Sequence, residues 1–333
     1  MAGDPMPGTL YWIDHYVVAS TDLDRWSEFQ EKVLGATSLP GRPGQRRFIA
    51  FQDITPCCHH GAMFSDAPLP PSAGLGKALP RNALFIRPED IDQHLRRLEQ
   101  YNVPHLDPVR TSSEGEDGVS ILWEDPDGNQ FEFWAPDRMP EGAMANCTSV
   151  GVGRISHIIL ECQDLERAAG LFAEYGGIEP RPSTDMSADT LVLRTAGGAR
   201  IVYKKGEPAS QRTGGWGKLH AIHAALILRD EDFWPSYERM WADFPEWELD
   251  RETDEFVGAG PDLPARTARH GSSAGRRWYQ IRGRGDDWYD WDTNCFHFMG
   301  GKPTTRSFSE YEPHSMEWQL PRFLEANGIA EAR

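Results

Sequence analysis

His15-Tyr-Val-Val-Ala-Ser-Thr-Asp22, His157-Ile-Ile-Leu-Glu-Cys-Gln-Asp164 and His223-Ala-Ala-Leu-Ile-Leu-Arg-Asp230 align without gaps, and this alignment decides the fold. Each run is short and β-rich, and each ends on an aspartate suited to cap the amphipathic segment behind it. In the segment from Leu165 to Tyr175, for example, Ala168, Leu171 and Phe172 share one helical face. A further copy runs from Ala83 to Asp90 and leads into a helix-like stretch to Tyr101, with Ala83 where the others carry histidine. β-like runs separated by turn residues follow each helix: 46–51, then 119–123 and 130–134, then 190–194 and 199–203, then 278–282 and 295–299. The expected fold class is therefore α+β, built from four βαβββ modules.

The closing strands of the second and fourth modules also align. Asp125-Pro-Asp-Gly-Asn129-Gln-Phe-Glu132 matches Asp290-Trp-Asp-Thr-Asn294-Cys-Phe-His297 at four of eight positions. Asp-Pro-Asp-Gly-Asn is a turn signal, so Glu132 and His297 are expected at equivalent places on the strands that follow. The reading divides the chain into an N-terminal domain at 10–136 (modules one and two), a linker at 137–152, a C-terminal domain at 153–300 (modules three and four) and an extension at 301–333. Segments 206–218 and 251–275 read as long loops, the second as a lid.

With 333 residues, 12 Trp and 15 Phe, the chain can fill two cores. The net charge of −17 repels phosphate backbones and argues against nucleic-acid binding. Apolar runs are too short to cross a bilayer, and the N-terminus lacks a charged stretch followed by an apolar core, so no membrane association is expected. The five scattered cysteines read as reduced thiols in a cytoplasmic protein.

With these motifs in hand, the chain resembles the vicinal oxygen chelate superfamily, which includes glyoxalase I, bleomycin and fosfomycin resistance proteins and type I extradiol dioxygenases. The resemblance spans about residues 10 to 300 and rests on the His15, His157 and Asp125 runs in modular register. It implies that paired modules curl into two open-barrel domains. Two tandem domains in this length look most like the extradiol dioxygenases, whose metal ligands lie on the first strand of module three and on the first and last strands of module four. Carried over, those positions are His157, His223 and His297, the last standing where that family has glutamate.

The implied activity is ring cleavage of a catechol-like aromatic substrate by dioxygen on Fe²⁺, with Mn²⁺, Zn²⁺ and Ni²⁺ as alternatives. A homo-oligomer is expected. Tyr279, His270 and His220 are the candidate proton-handling residues. Replacing a carboxylate by neutral imidazole raises the net charge of the site by one unit, which favours anionic chelating substrates and disfavours electron transfer to dioxygen. A non-oxidative lyase, isomerase or hydrolase therefore stands beside the ring-cleaving reading, as does a ligand-sequestering protein of the resistance type. His15 and Glu132 form the alternative, N-terminal candidate site, with Ala83 costing it one ligand. His59 and His60, beside Cys57 and Cys58, read as a solvent loop, and His94 and His105 as surface residues.

Overall fold

A computed structural model describes residues 10, 12–39, 46–50, 59–64, 69, 74–112, 115–144, 147–181, 184–206, 223–229, 271–273, 276–280 and 295–301. The first module is β1 (Trp12–Ser20), α1 (Leu23–Leu34), β2 (Thr37–Leu39), β3 (Arg46–Ala50) and β4 (His59–Phe64). The second is β5 (Arg81–Phe85), α2 (Ile91–Gln100), β6 (Val109–Thr111), β7 (Gly118–Glu124) and β8 (Gln130–Pro136). Both follow the βαβββ order. The third contributes β9 (Ile155–Cys162), α3 (Leu165–Gly176), β10 (Thr190–Arg194) and β11 (Arg200–Lys205); the fourth contributes β12 (His223–Arg229), β13 (Gly271–Ser273), β14 (Arg276–Gln280) and β15 (Cys295–Gly301). Segments 207–218 and 251–270 and the extension from 302 onward lie outside the described residues.

The repeat is visible in the caps. Asp22 accepts from the Arg25 amide at 3.0 Å, and Asp164 accepts from the Arg167 amide at 2.9 Å. Both helices run 12 residues and stop at a glycine in the left-handed region, Gly35 and Gly177, each with φ 63°. Module two departs from this. Pro88 forces a 3-10 turn over Pro88–Asp90, and Asp90 makes no capping bond into α2.

The strands assemble into two sheets. Sheet A has the order β13-β14-β15-β12-β1-β4-β3-β2, and sheet B the order β10-β11-β9-β5-β8-β7-β6. Module one thus pairs with module four through the antiparallel ladder of β1 on β12, and module two with module three through β5 on β9. This corrects the expected pairing of one with two and three with four. The physical reason lies in the segment read as a linker. Gly153 donates to the Phe85 carbonyl at 2.7 Å, Phe85 donates to Arg154 at 2.9 Å, and Arg154 donates to Ala143 at 2.9 Å. Ala143, Thr148 and Val152 are buried. The segment is a packed crossover that returns the chain antiparallel beside β5.

Strand alternation gives each sheet two faces. Tyr16, Val18, Ala62, Ala224 and Leu226 of sheet A, and Ile158, Leu160, Ile201 and Tyr203 of sheet B, join Leu23, Trp26, Leu165, Ala168 and Phe172 of the helices in one apolar core. The opposite face of sheet B carries a small cluster of Ile159, Val192 and Val202 packed by Leu79. His94 is buried on the core side of α2, its ring 4.8 Å from that of Phe133, so it is not a surface residue. His105 is half-buried, with Nδ1 2.8 Å from the Val103 carbonyl. Among the described residues, no helix is long and apolar enough to cross a membrane.

The Asp125-to-Asn129 turn of sheet B grips β1 and α1 of sheet A. Asp127 accepts from Ser20 Oγ (2.8 Å), Thr21 Oγ1 (2.9 Å) and Arg25 Nη2 (3.0 Å). Asn129 Nδ2 donates to the Ala19 carbonyl at 2.8 Å, and Trp26 Nε1 donates to Asp125 at 2.9 Å. Burial pushes the Asp125 carboxyl up to about 7, against the pull of the Asn129 and Trp26 donors.

Two predictions follow from this packing. Asp127→Ala removes a shared acceptor and should lower stability by about 2 kcal/mol in urea unfolding. Burial, and secondarily Arg97, lowers His94 to about 4. A histidine depressed in the folded state contributes stability above its unfolded value near 6.5 that is lost on acidification toward the folded one. His94→Leu should therefore gain on the parent between those two pH values, by up to roughly 3 kcal/mol. Parallel denaturation curves at pH 7 and pH 4.5 measure that gain; an unchanged difference would contradict the assignment.

Candidate functional site

Four side chains of sheet B lie in one cross-strand row. Arg200 of β11 is the partner of His157 of β9, His157 of Ala83 of β5, and Ala83 of Glu132 of β8. The row occupies the face opposite the helices, and Arg200, His157 and Glu132 are at most 1% exposed. Ala83 is short, so the side chains flanking it meet: His157 Nε2 stands 3.5 Å from Glu132 Oε2. Arg81 Nε lies 2.9 Å from the same oxygen. Arg200 Nη2 is 3.0 Å from His157 Nδ1 and 3.2 Å from Glu116 Oε2, and its guanidinium lies over the Trp134 ring at 5.3 Å.

These contacts dictate the protonation of the row. A guanidinium only donates, so His157 Nδ1 accepts from Arg200 and the ring proton sits on Nε2, aimed at Glu132. Burial alone would raise the Glu132 carboxyl; His157, Arg81 and the Ser120 hydroxyl outweigh it and hold Glu132 down at about 2. Two guanidiniums, Arg81 and Arg200, thus face two carboxylates, Glu132 and Glu116, around the His157 ring.

Sheet A repeats the arrangement with other residues. His59 of β4 is the partner of His15 of β1, His15 of Ala225 of β12, Ala225 of His297 of β15, and His297 of Gln280 of β14. The adjacent row, on the same face, runs Val17, His223, Cys295. Compared by register, His15 takes the place of His157, Ala225 of Ala83, His297 of Glu132, His59 of Arg200 and His223 of Arg81. His15 is buried. Four histidine positions thus share one face of sheet A.

The expected triad is divided. His223 and His297 stand on neighbouring strands of sheet A, whereas His157 belongs to the row of sheet B. Tyr279 is the partner of Phe298, one residue off the pairing of Gln280 with His297, and so sits on the opposite face from the histidine row. His220 and His270 lie outside the described residues. His59 and His60 form the start of β4, not a loop. Among the described residues, no group of three or more His, Cys, Asp or Glu is arranged to hold a metal.

Residues 12–133 match the family model of the Glyoxalase/Bleomycin resistance protein/Dioxygenase superfamily. Modules one and two therefore carry a domain of this superfamily. No curated protein matches the sequence. Among solved structures, the superfamily fold recurs in a Bacillus subtilis subsp. subtilis str. 168 protein provisionally named a dioxygenase. It shares 16% identity with this chain and covers 95% of it and 97% of its own length, with a TM-score of 0.61. Glyoxalase I from Zea mays shares 14% identity and covers 97% of both chains, with a TM-score of 0.54. At these identities the likeness concerns the fold.

The sheet B row makes an acid-side prediction. A carboxylate whose folded value is depressed contributes stability above its unfolded value, and that contribution is lost as pH falls through the folded value. Glu132→Gln should therefore be less stable than the parent at pH 6 and approach it as the pH falls from about 4.5 toward 2. Urea midpoints across that range measure the convergence.

Proposed function

We propose that this superfamily member is a metalloenzyme holding a divalent cation on sheet A through His15, His223 and His297, with His59 in the same row, and acting on a small substrate with two neighbouring oxygens. The observation that carries this reading is the register, which gathers four imidazole positions from four adjacent strands on one face. The donor set fits such an ion: imidazoles bind Fe²⁺, Zn²⁺ and Ni²⁺ well, and Mn²⁺ less readily. His15 replaces His157 in the set read from the sequence.

When bound, the cation supplies Lewis acidity to the substrate oxygens and, if it is iron, a route for dioxygen chemistry. The chain supplies the rest. Its neutral ligands leave the cation's charge uncompensated, which selects an anionic or readily deprotonated substrate. The Asn129 bond to the Ala19 carbonyl anchors β1 four residues from His15 and holds that histidine in register.

Two chemistries fit this arrangement. The absence of a carboxylate among the four positions, and a pairing that separates modules three and four, favour non-oxidative isomerase, lyase or hydrolase chemistry. Ring-cleaving dioxygenation of a catechol-like substrate on Fe²⁺ is the second reading, favoured by fold similarity to the Bacillus subtilis protein provisionally named a dioxygenase. Anaerobic turnover separates them: the first continues without dioxygen and the second stops.

Elemental analysis tests the ligands. His223→Ala and His297→Ala should each lower bound metal about tenfold or more, while His157→Ala should retain it. Retention in the first two would refute the sheet A centre. Loss in His157→Ala with retention in His15→Ala would restore the triad read from the sequence.

A further inference from the structure

We propose that sheet B is a metal-free copy of the site in which the guanidinium groups of Arg81 and Arg200 take the place of a cation. Among the described residues one metal centre then remains, on sheet A, a count that rests on the reading above.

The register supplies the first argument. Arg200 occupies the position of His59 and Arg81 that of His223, so two of the four places that hold imidazole in sheet A hold permanent positive charge in sheet B. The remaining pair, His157 and Glu132, has the chemistry of a ligand couple, but each lies beside a guanidinium. Glu132 Oε2 is held by Arg81 at 2.9 Å and faced by His157 Nε2 at 3.5 Å. His157 Nδ1 lies 3.0 Å from Arg200 and 3.0 Å from Ser156 Oγ. A divalent ion bound between the carboxylate and the imidazole would sit beside two guanidiniums in a site removed from water, where like charges repel strongly.

The second argument is closure. Residues just before β7 close the Arg200 end of the row: Gly115 accepts from Arg194 at 2.6 Å, and Glu116 accepts from Trp134 Nε1 at 3.3 Å while pairing with Arg200 at 3.2 Å. Ala83, Glu132, His157 and Arg200 are at most 1% exposed. Ala83 also offers no donor at the centre of the row. Each of the two carboxylates already faces a guanidinium, so the row needs no ion to neutralise them.

Co²⁺ is the probe. Protein saturated with Co²⁺ and desalted should hold the same amount of cobalt per chain in the Glu132→Gln/His157→Gln double variant as in the parent. Loss of cobalt from the double variant overturns the proposal. A parent that binds no Co²⁺ sinks the sheet A centre but upholds the metal-free assignment of sheet B, so the two failures are distinct. If the double variant does not fold, the parent decides by NMR. The guanidinium Nε–H signals of Arg81 and Arg200, assigned with Arg81→Lys and Arg200→Lys, should keep their positions on saturation with Zn²⁺. A shift or loss of either signal overturns the proposal.

Discussion

Two antiparallel ladders, β1 on β12 and β5 on β9, determine every other relation in the molecule. Each joins the first strands of two modules, so each decides which side chains share a row across a sheet. Had β5 paired with β1 and β9 with β12, His157 would have joined His223 and His297, and Glu132 would have faced His15. The ladder that exists places His157 opposite Ala83, beside Glu132, and His15 opposite Ala225, beside His297. Main-chain hydrogen bonds remote from any reacting atom thereby set the composition of both candidate sites.

From one backbone plan the two sheets reach opposite electrostatic outcomes. In sheet B, a small central residue lets the flanking imidazole and carboxylate approach to 3.5 Å, with the Arg81 and Arg200 guanidiniums beside them. Ions removed from water need neighbours of opposite charge, because an unmatched buried charge is costly. In sheet A, the corresponding positions carry histidines in place of the two arginines and the glutamate. The division of labour lies in side-chain chemistry and not in the fold.

Much of the fold was legible in the sequence because the signals were local. The seven-residue spacing from histidine to capping aspartate announced strand and helix, and the Asp22 and Asp164 capping bonds realise it. Pairing was not legible. All four first strands offer similar edges, and the Gly- and Asn-containing stretch before β9 reads as an exposed spacer although it is packed against Phe85. His94 could have been found, since it lies four residues before the buried Leu98 on α2. The role of Arg81 and Arg200 could not, because each guanidinium is matched to a carboxylate distant in sequence. His59 was hidden for the same reason: its partner, His15, lies on another strand.

The crossed pairing also has a consequence in time. Sheet B is built from 81–205, a contiguous stretch whose strands can assemble as soon as they leave the ribosome. Strand β1 emerges earlier, yet its ladder partner β12 follows it by roughly two hundred residues, the kind of long-range closure that slows folding. In the interval, the Asp125-to-Asn129 turn, the Trp12 bond to the Ile155 carbonyl and the Arg97 bond to the Val33 carbonyl can hold β1 and α1 in place. Among the described strands, the histidine face is therefore the last to be completed, docked onto a half whose strands are already paired.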